Sequence, residues 1–205
     1  MAFDYAAFVK GNVPREAFIK IEQYVDLLYL WNKTISLISN QMTHNDAYAH
    51  IADSILLYQY GDIDNQVVDI GSGNGLLGIP LSIITNQIIH LVEINKKKSI
   101  FLHEIIRRLS LQTVVLNQDI RLFQHNDKVT YFASKAFTKI LPLLNMLQKQ
   151  ISHNHRYFFF KSPHQATEEL TTAAQHWHFD HEIHTNNQLP HKAMITIYNI
   201  KSKLQ

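Results

Sequence analysis

The sequence predicts an α/β fold: a mostly parallel, doubly wound sheet with helices on both faces, preceded by a helical segment and closed by an antiparallel strand. Three observations predict it. Short apolar runs alternate with helix-length stretches from residue 66 to residue 176, the pattern of a parallel sheet built from crossover units. One run, Val67-Val68-Asp69-Ile70, leads directly into Gly71, Gly73 and Gly75, as a buried strand does when it feeds a ligand-binding turn. Near the C-terminus two alternating stretches follow each other with no helix between them, which implies an antiparallel hairpin at one edge.

Residues 14 to 60 read as helical. Pro14 suits a first helical turn. Phe18, Ile21, Val25, Leu28 and Trp31 recur at spacings of three and four, one face of a helix. A polar break at 39–43 separates this helix from a second over 45–58. After Gly61 the texture changes, and strands are predicted over 67–70, 88–92, 113–116, 129–133 and 157–160. Helices are predicted over 76–84 and 138–151, where Pro80 and Pro142 must lie in early turns, and over 96–109 and 163–176. The closing strands are 179–184 and 193–200. Trp31 and the run Tyr157-Phe158-Phe159-Phe160 are expected in the core.

A length of 205 residues suits one domain with a small appendage; the division expected is a helical segment over 1–60 and a main domain over 61–205. Hydrophobic residues make up 46% and charged residues 18%, which favours a packed core over disorder. No apolar run approaches the ~18 residues of a membrane span. Residues 1–8 carry Asp4 and no basic stretch, so neither a signal peptide nor a targeting helix is expected. The absence of cysteine excludes disulfides, thiolate metal sites and cysteine nucleophiles, and is compatible with the cytoplasm. A net charge of +2 identifies no partner, so a nucleic-acid partner must rest on local patches.

The glycine loop is the strongest local signal. Glycine admits positive φ and close ligand approach, and in open α/β sheets ligands bind at the carboxyl ends of the strands. Two cofactor classes compete. Gly73-Asn74-Gly75-Leu76-Leu77-Gly78 fits the dinucleotide spacing G-x-G-x-x-G, but the glycine that directly follows the strand is Gly71, and Leu76 stands where that register wants a glycine. Asp69, just before the loop, suits a cofactor carrying a cationic amino acid and a sulfonium better than a pyrophosphate. Glu93, at the end of the second strand, can accept hydrogen bonds from ribose hydroxyls in either class. Asp119, after the third strand, is placed to hold an adenine amino group.

These residues resemble a known family, the bacterial small-subunit rRNA guanine-N7 methyltransferases called glucose-inhibited division protein B. Leu27-Leu28-Tyr29-Leu30-Trp31-Asn32-Lys33 is similar to the family's L-L-x-W-N-K, and Leu37-Ile38-Ser39 to its N-L-[TI]-S. His50-Ile51-Ala52-Asp53-Ser54 is similar to H-I-x-D-S, residues 69–80 to D-x-G-S-G-x-G-L-P-G-I-P, and Glu93, Lys97, Lys98, Phe101 and Leu102 to E-x-x-x-K-K-x-x-F-L. The likeness covers roughly residues 24 to 200. Departures are Leu77 for proline, Ser36 for asparagine, Gln118-Asp119-Ile120-Arg121 for G-R-A-E, Ser134-Lys135-Ala136-Phe137 for S-R-A-F, and Lys161-Ser162 for K-G.

The resemblance implies a Rossmann-like class I methyltransferase fold with S-adenosyl-L-methionine as cofactor. It implies methylation of N7 of a guanine in the 530 loop of 16S rRNA, in free rRNA, the 30S subunit or an assembly intermediate, by a cytoplasmic protein expected to be a monomer. The cofactor residues so implied are Asp69, Gly71, Ser72, Gly73, Gly75, Leu76, Glu93, Asp119, Ile120, Arg121 and Lys135. N7 carries a free lone pair, so no general base is required and no catalytic triad is expected; Lys135 is the candidate substrate contact. Lys97, Lys98, Lys135, Lys139 and Lys161 are the candidate RNA contacts, since a base in folded RNA must be splayed out while its phosphates are held. No metal is expected, despite the histidines at 153, 155, 176, 178 and 181. Competing readings are a methyltransferase with another RNA or small-molecule substrate, a non-catalytic RNA-binding module, and, furthest off, a nicotinamide oxidoreductase.

Overall fold

A computed structural model describes residues 3–124 and 129–203; Met1 and Ala2 of the N-terminal stretch lie outside the described residues. Three helices come first: α1 (Tyr5–Asn12), α2 (Arg15–Asn32) and α3 (His44–Tyr60). The core then alternates: β1 (Gln66–Ile70), α4 (Gly78–Thr85), β2 (Ile89–Val92), α5 (Lys96–Leu109), β3 (Val114–Leu116), β4 (Val129–Ser134), α6 (Ile140–Leu147), β5 (Arg156–Lys161), α7 (Pro163–Ala174), β6 (Trp177–Thr185) and β7 (Ala193–Ser202). A 3-10 turn over Ile120–Leu122 follows β3.

The sheet order is β3-β2-β1-β4-β5-β7-β6. Strands β1 to β5 pair in parallel, and β7 runs antiparallel to both β5 and β6. This is the Rossmann-like class I methyltransferase arrangement. The closing hairpin is present, but its second strand tucks inside, leaving β6 at the edge. Every strand from β1 to β5 therefore ends at one rim, and β7 begins there.

Both faces of the sheet are covered. Val67, Phe158 and Phe160 point into a core shared with α1 to α5, while Val68, Ile70, Tyr157 and Phe159 point into a second core with α6 and α7. Successive side chains on a strand face opposite ways, so a run of four aromatics is buried only because there is a layer on each side. Trp31 is half-buried, its ring 5.9 Å from Phe101.

Element bounds differ from the sequence reading in several places. Helix α1 falls within the helical segment expected over 1–60 but before residue 14, where the helical reading began; Asp4 caps it by accepting from the Ala7 amide at 2.9 Å, and Phe8 and Val9 anchor it in the core. Helix α4 starts at Gly78 rather than at residue 76, because residues 75–77 are still turning. Helix α6 is shorter than 138–151: Lys139 precedes it, and the Glu169 carboxylate takes the Ile140 amide at 2.9 Å. Strand β6 begins at Trp177, shortening α7. No helix among the described residues is long and apolar enough to cross a membrane.

Candidate active site

The chain turns sharply after β1. Gly71, Gly73 and Gly75 take φ of 68°, 58° and 84°. Two of them are also short of room: a Cβ on Gly71 would strike the Phe137 ring, and one on Gly75 would lie 2.8 Å from both Ile79 Cγ1 and Leu102 Cδ2. The Gly71 and Ser72 amides both donate to the Val92 carbonyl, at 2.9 and 3.1 Å. The loop is thus fastened to the end of β2.

Sheet register sets what stands beside it. Ile70 pairs with Val92 and Asp69 with Ala133, so Glu93 and Lys135 follow just beyond, on either side of the loop. Glu93 is only 7% exposed. Its Oε2 accepts from the Gly73 amide and its Oε1 from the Asn95 amide, each at 2.7 Å. Each carboxylate oxygen keeps a second lone pair, and Glu93 lines a cavity of about 500 Å³ together with Gly71, Gly73, Ile94, Ile120 and Met146. That volume lies within the ~300–1,000 Å³ of small-molecule sites.

The same cavity takes in Lys98, Asp119 and Arg121. Arg121 grips Asp119 with its guanidinium, Nε lying 3.0 Å from Oδ1, while its amide donates to Oδ1 at 2.9 Å. These bonds hold the Asp119 carboxyl down to about 2. Asp119 therefore meets the cavity as an anion with Arg121 across it. The arginine that replaces the family's carboxylate brings its own counter-ion.

Asp69 lies on the other side of the loop. It is buried, and its Oδ2 accepts from the Gly78 amide at 3.1 Å. Burial pushes its pKa up to about 7, against the Gly78 hydrogen bond and the Lys135 charge, which pull it down. The buried Ser72 hydroxyl donates to the Asp69 carbonyl at 2.9 Å. Asp69, Ser72, Leu76 and Lys135 line a second cavity, of about 290 Å³, across from Leu37 and His50 of the N-terminal segment. The two cavities share Gly71 and Ala136. Ala136 itself has φ 53°, and Phe137 after it is 40% exposed with its ring over Gly71.

The lysines divide into two sets. Lys96 and Lys97 are exposed at the start of α5, where Asn95 Oδ1 accepts from the Lys97 and Lys98 amides at 3.0 and 3.2 Å; Lys139 is exposed before α6. By contrast, Lys135 Nζ sits 2.9 Å from Asp53 and donates to the His50 carbonyl at 2.6 Å. Lys161 pairs with Glu169 at 2.8 Å. Among the described residues no three metal-ligating side chains cluster; His155 is buried against Phe132 and Tyr157.

Several residues that hold the site escaped the sequence reading. The Tyr24 hydroxyl donates to the Asn74 carbonyl at 2.8 Å, the Asn74 amide side chain to the Leu37 carbonyl at 3.0 Å, and the Ser54 hydroxyl to the Leu77 carbonyl at 2.8 Å. Asn32 Oδ1 accepts from the Leu37 and Ile38 amides at 2.8 and 2.9 Å, closing the turn after α2. Asn32, Asp53 and Ser54 all stood inside the family-like motifs; that was the available signal. Tyr24 carried none.

A sequence profile of the family described as rRNA small subunit methyltransferase G matches residues 18–196. The ribosomal RNA small subunit methyltransferase G of Rickettsia felis is 33% identical, covering 92% of this chain and 97% of that protein. The one from Pelagibacter ubique is 30% identical over 98% of this chain and 97% of its own length. Among solved structures, M. jannaschii TYW2 in complex with AdoMet aligns at TM-score 0.56 and 15% identity, covering 79% of this chain and 78% of that one. MtNAS in complex with MTA and tNA aligns at TM-score 0.60 and 12% identity, covering 88% and 70%. These two likenesses bear on the fold; the sequence matches bear on the family. With a profile that spans most of the chain and relatives matched over nearly their full length, this chain belongs to the rRNA small subunit methyltransferase G family.

Proposed function

We propose that this chain methylates N7 of a guanine in the 530 loop of 16S rRNA. Its family is one of S-adenosylmethionine-dependent rRNA methyltransferases, and the chain is an enzyme of that kind; the atom and the loop are the finer part of the proposal. The observation that carries the reading is the Glu93 latch: a nearly buried carboxylate fixed to the glycine loop by the Gly73 amide, with lone pairs left over toward a cavity floored by bare backbone.

S-adenosylmethionine supplies an electrophilic methyl group on a sulfonium. Around it, Glu93 would accept the ribose hydroxyls, Asp119 and Ile120 would meet the adenine, and Gly71 would let the amino-acid portion pass close to the chain. Ser72, Gly75 and Leu76 shape the turn, and Asp69 supplies negative charge beneath it. With the sulfonium supplying the methyl group and guanine N7 its lone pair, the positive charge would pass to the base. No proton is removed, so the protein's task is alignment and exclusion of water, which can lower a barrier by about 7–11 kcal/mol.

RNA is assigned to the side bearing Lys97, Lys98 and Lys139, with Lys135 and Lys161 at the rim. The division into a helical segment (1–60) and a methyltransferase domain (61–205) belongs to this reading, as do a monomeric, cytoplasmic protein and an acceptor within the 30S subunit or an assembly intermediate. The test is mass spectrometry of 16S rRNA from a strain lacking the gene. Loss of the methyl group from the 530-loop guanine is expected; its retention refutes the proposal.

A further inference from the structure

A third cavity, of about 380 Å³, continues the rim beyond Lys135. It shares His50, Lys135 and Ala136 with the cavity beside Asp69, and adds Lys161, Ser162 and Lys192. Sheet register assembles it. Ser134 of β4 pairs with Phe159 of β5, and Lys161 of β5 with Ala193 of β7. Lys135, Lys161 and Lys192 therefore stand at three neighbouring strand ends.

Three ammonium groups meet at one cavity whose wall includes a single carboxylate, Asp53. Asp53 is divided between two of them: Oδ2 lies 2.9 Å from Lys135 and Oδ1 2.7 Å from Lys192. An ammonium has three N–H donors. Lys135 gives one to Asp53 and another to the His50 carbonyl; Lys192 gives one to Asp53. Lys161 is neutralised by Glu169 behind it, so the cavity keeps a surplus positive charge with donors to spare. Helix α7 begins at the same wall, with Ser162 as its N-cap, adding the positive end of a 12-residue helix. Burial first, and Lys135 next, push the His50 pKa down to about 4.

We propose that this cavity is the subsite for the backbone phosphate flanking the acceptor guanosine, with Lys192 as its main contact. The inference rests on the RNA-methylating reading above. A base splayed out of its stack is positioned through its backbone, and this cavity adjoins the one beside the glycine loop, sharing Lys135 and Ala136 with it. An RNA phosphate and a free inorganic phosphate share the required chemistry, and the test separates them.

The primary measurement is kcat/KM of the full chain on 30S subunits between 50 and 200 mM salt. Lys192→Gln is expected to lower the slope of log(kcat/KM) against log[salt] by about 0.7–0.9, the loss of one phosphate contact, mainly through KM. Lys192→Arg is expected to keep the slope. S-adenosylmethionine affinity, read by calorimetry, reports that both variants are folded. A neutral methylphosphonate beside the acceptor in a 530-loop hairpin should lower the wild-type binding slope equally and leave that of Lys192→Gln unchanged.

A wild-type slope in Lys192→Gln overturns the subsite. So does a methylphosphonate effect that persists in full in that variant. If the methylphosphonate has no effect on the wild type, while Lys192→Gln abolishes inhibition by added inorganic phosphate, the site is one for a free anion and the RNA assignment fails. Failure of the underlying reading is distinct: the wild-type protein would then leave N7 unmethylated on 30S subunits and on free 16S rRNA alike.

Discussion

Removing the Asp53 carboxylate should cost more than any single surface ion pair. Asp53 lies in α3 and is 3% exposed. It joins three parts of the chain: α3, the end of β4 through Lys135, and the entry to β7 through Lys192. Burial pushes its pKa up, but Lys135 and Lys192 together outweigh that and hold it below the usual carboxylate range. In Asp53→Ala both ammoniums lose their counter-ion. Lys135, with 13% of its side chain exposed, cannot easily reach water, whereas Lys192 at 19% can turn outward in part. Breaking a buried pair by deleting one partner costs about 3–5 kcal/mol, which for a chain of this size is a fall in melting temperature of roughly 6–20 °C. Asp53→Asn keeps the shape and should fall between the two. The sign of the pH dependence follows from the lowered pKa. The carboxylate's contribution is present above the unfolded value of about 4 and vanishes as pH falls through the lower folded value. The gap between wild type and Asp53→Ala should therefore narrow in acid. Thermal or urea unfolding of the ligand-free protein measures both effects. A loss below about 1 kcal/mol at neutral pH, typical of an exposed pair, would refute the argument that this carboxylate is a buried hub.

Three further outcomes are expected. Glu93→Ala should weaken S-adenosylmethionine binding by about 1–3 kcal/mol through unpaired hydroxyls, roughly 5- to 150-fold by calorimetry; unchanged affinity would remove Glu93 from the site. Gly71→Ala puts a Cβ into left-handed backbone and into the Phe137 ring, at about 1–2 kcal/mol for the backbone and 1–3 for the crowding, so its melting temperature should drop; trimming the ring in Gly71→Ala/Phe137→Ala should recover the crowding part only. Asp69, with a pKa near 7, is protonated below neutrality in the free protein, and a cationic ligand favours its anion. Affinity for the cofactor should accordingly climb up to about tenfold per pH unit below 7 and level off above it, and Asp69→Asn should flatten that profile.

What the sequence determined by itself is local. The strand 67–70, the positive-φ glycines and the acidic residue closing the next strand are encoded within some twenty-five residues, because a buried strand, a tight turn and a helix start each leave a short-range signature of composition and period. The glycine-loop side of the candidate site was legible for that reason. Tertiary structure alone decided the rest. Lys135 read as a substrate contact and Lys192 carried no signal, yet β7 inserts between β5 and β6 and carries Lys192 to the Asp53 carboxylate, 139 residues away, with which Lys135 also pairs. Phe137 reads as an apolar residue after a strand, and only the pairing of β1 with β4 sets its ring over Gly71. No periodicity records which strand ends will be neighbours. Strand order is fixed by how two apolar faces are covered at once, and the charges along the rim meet as a consequence of it.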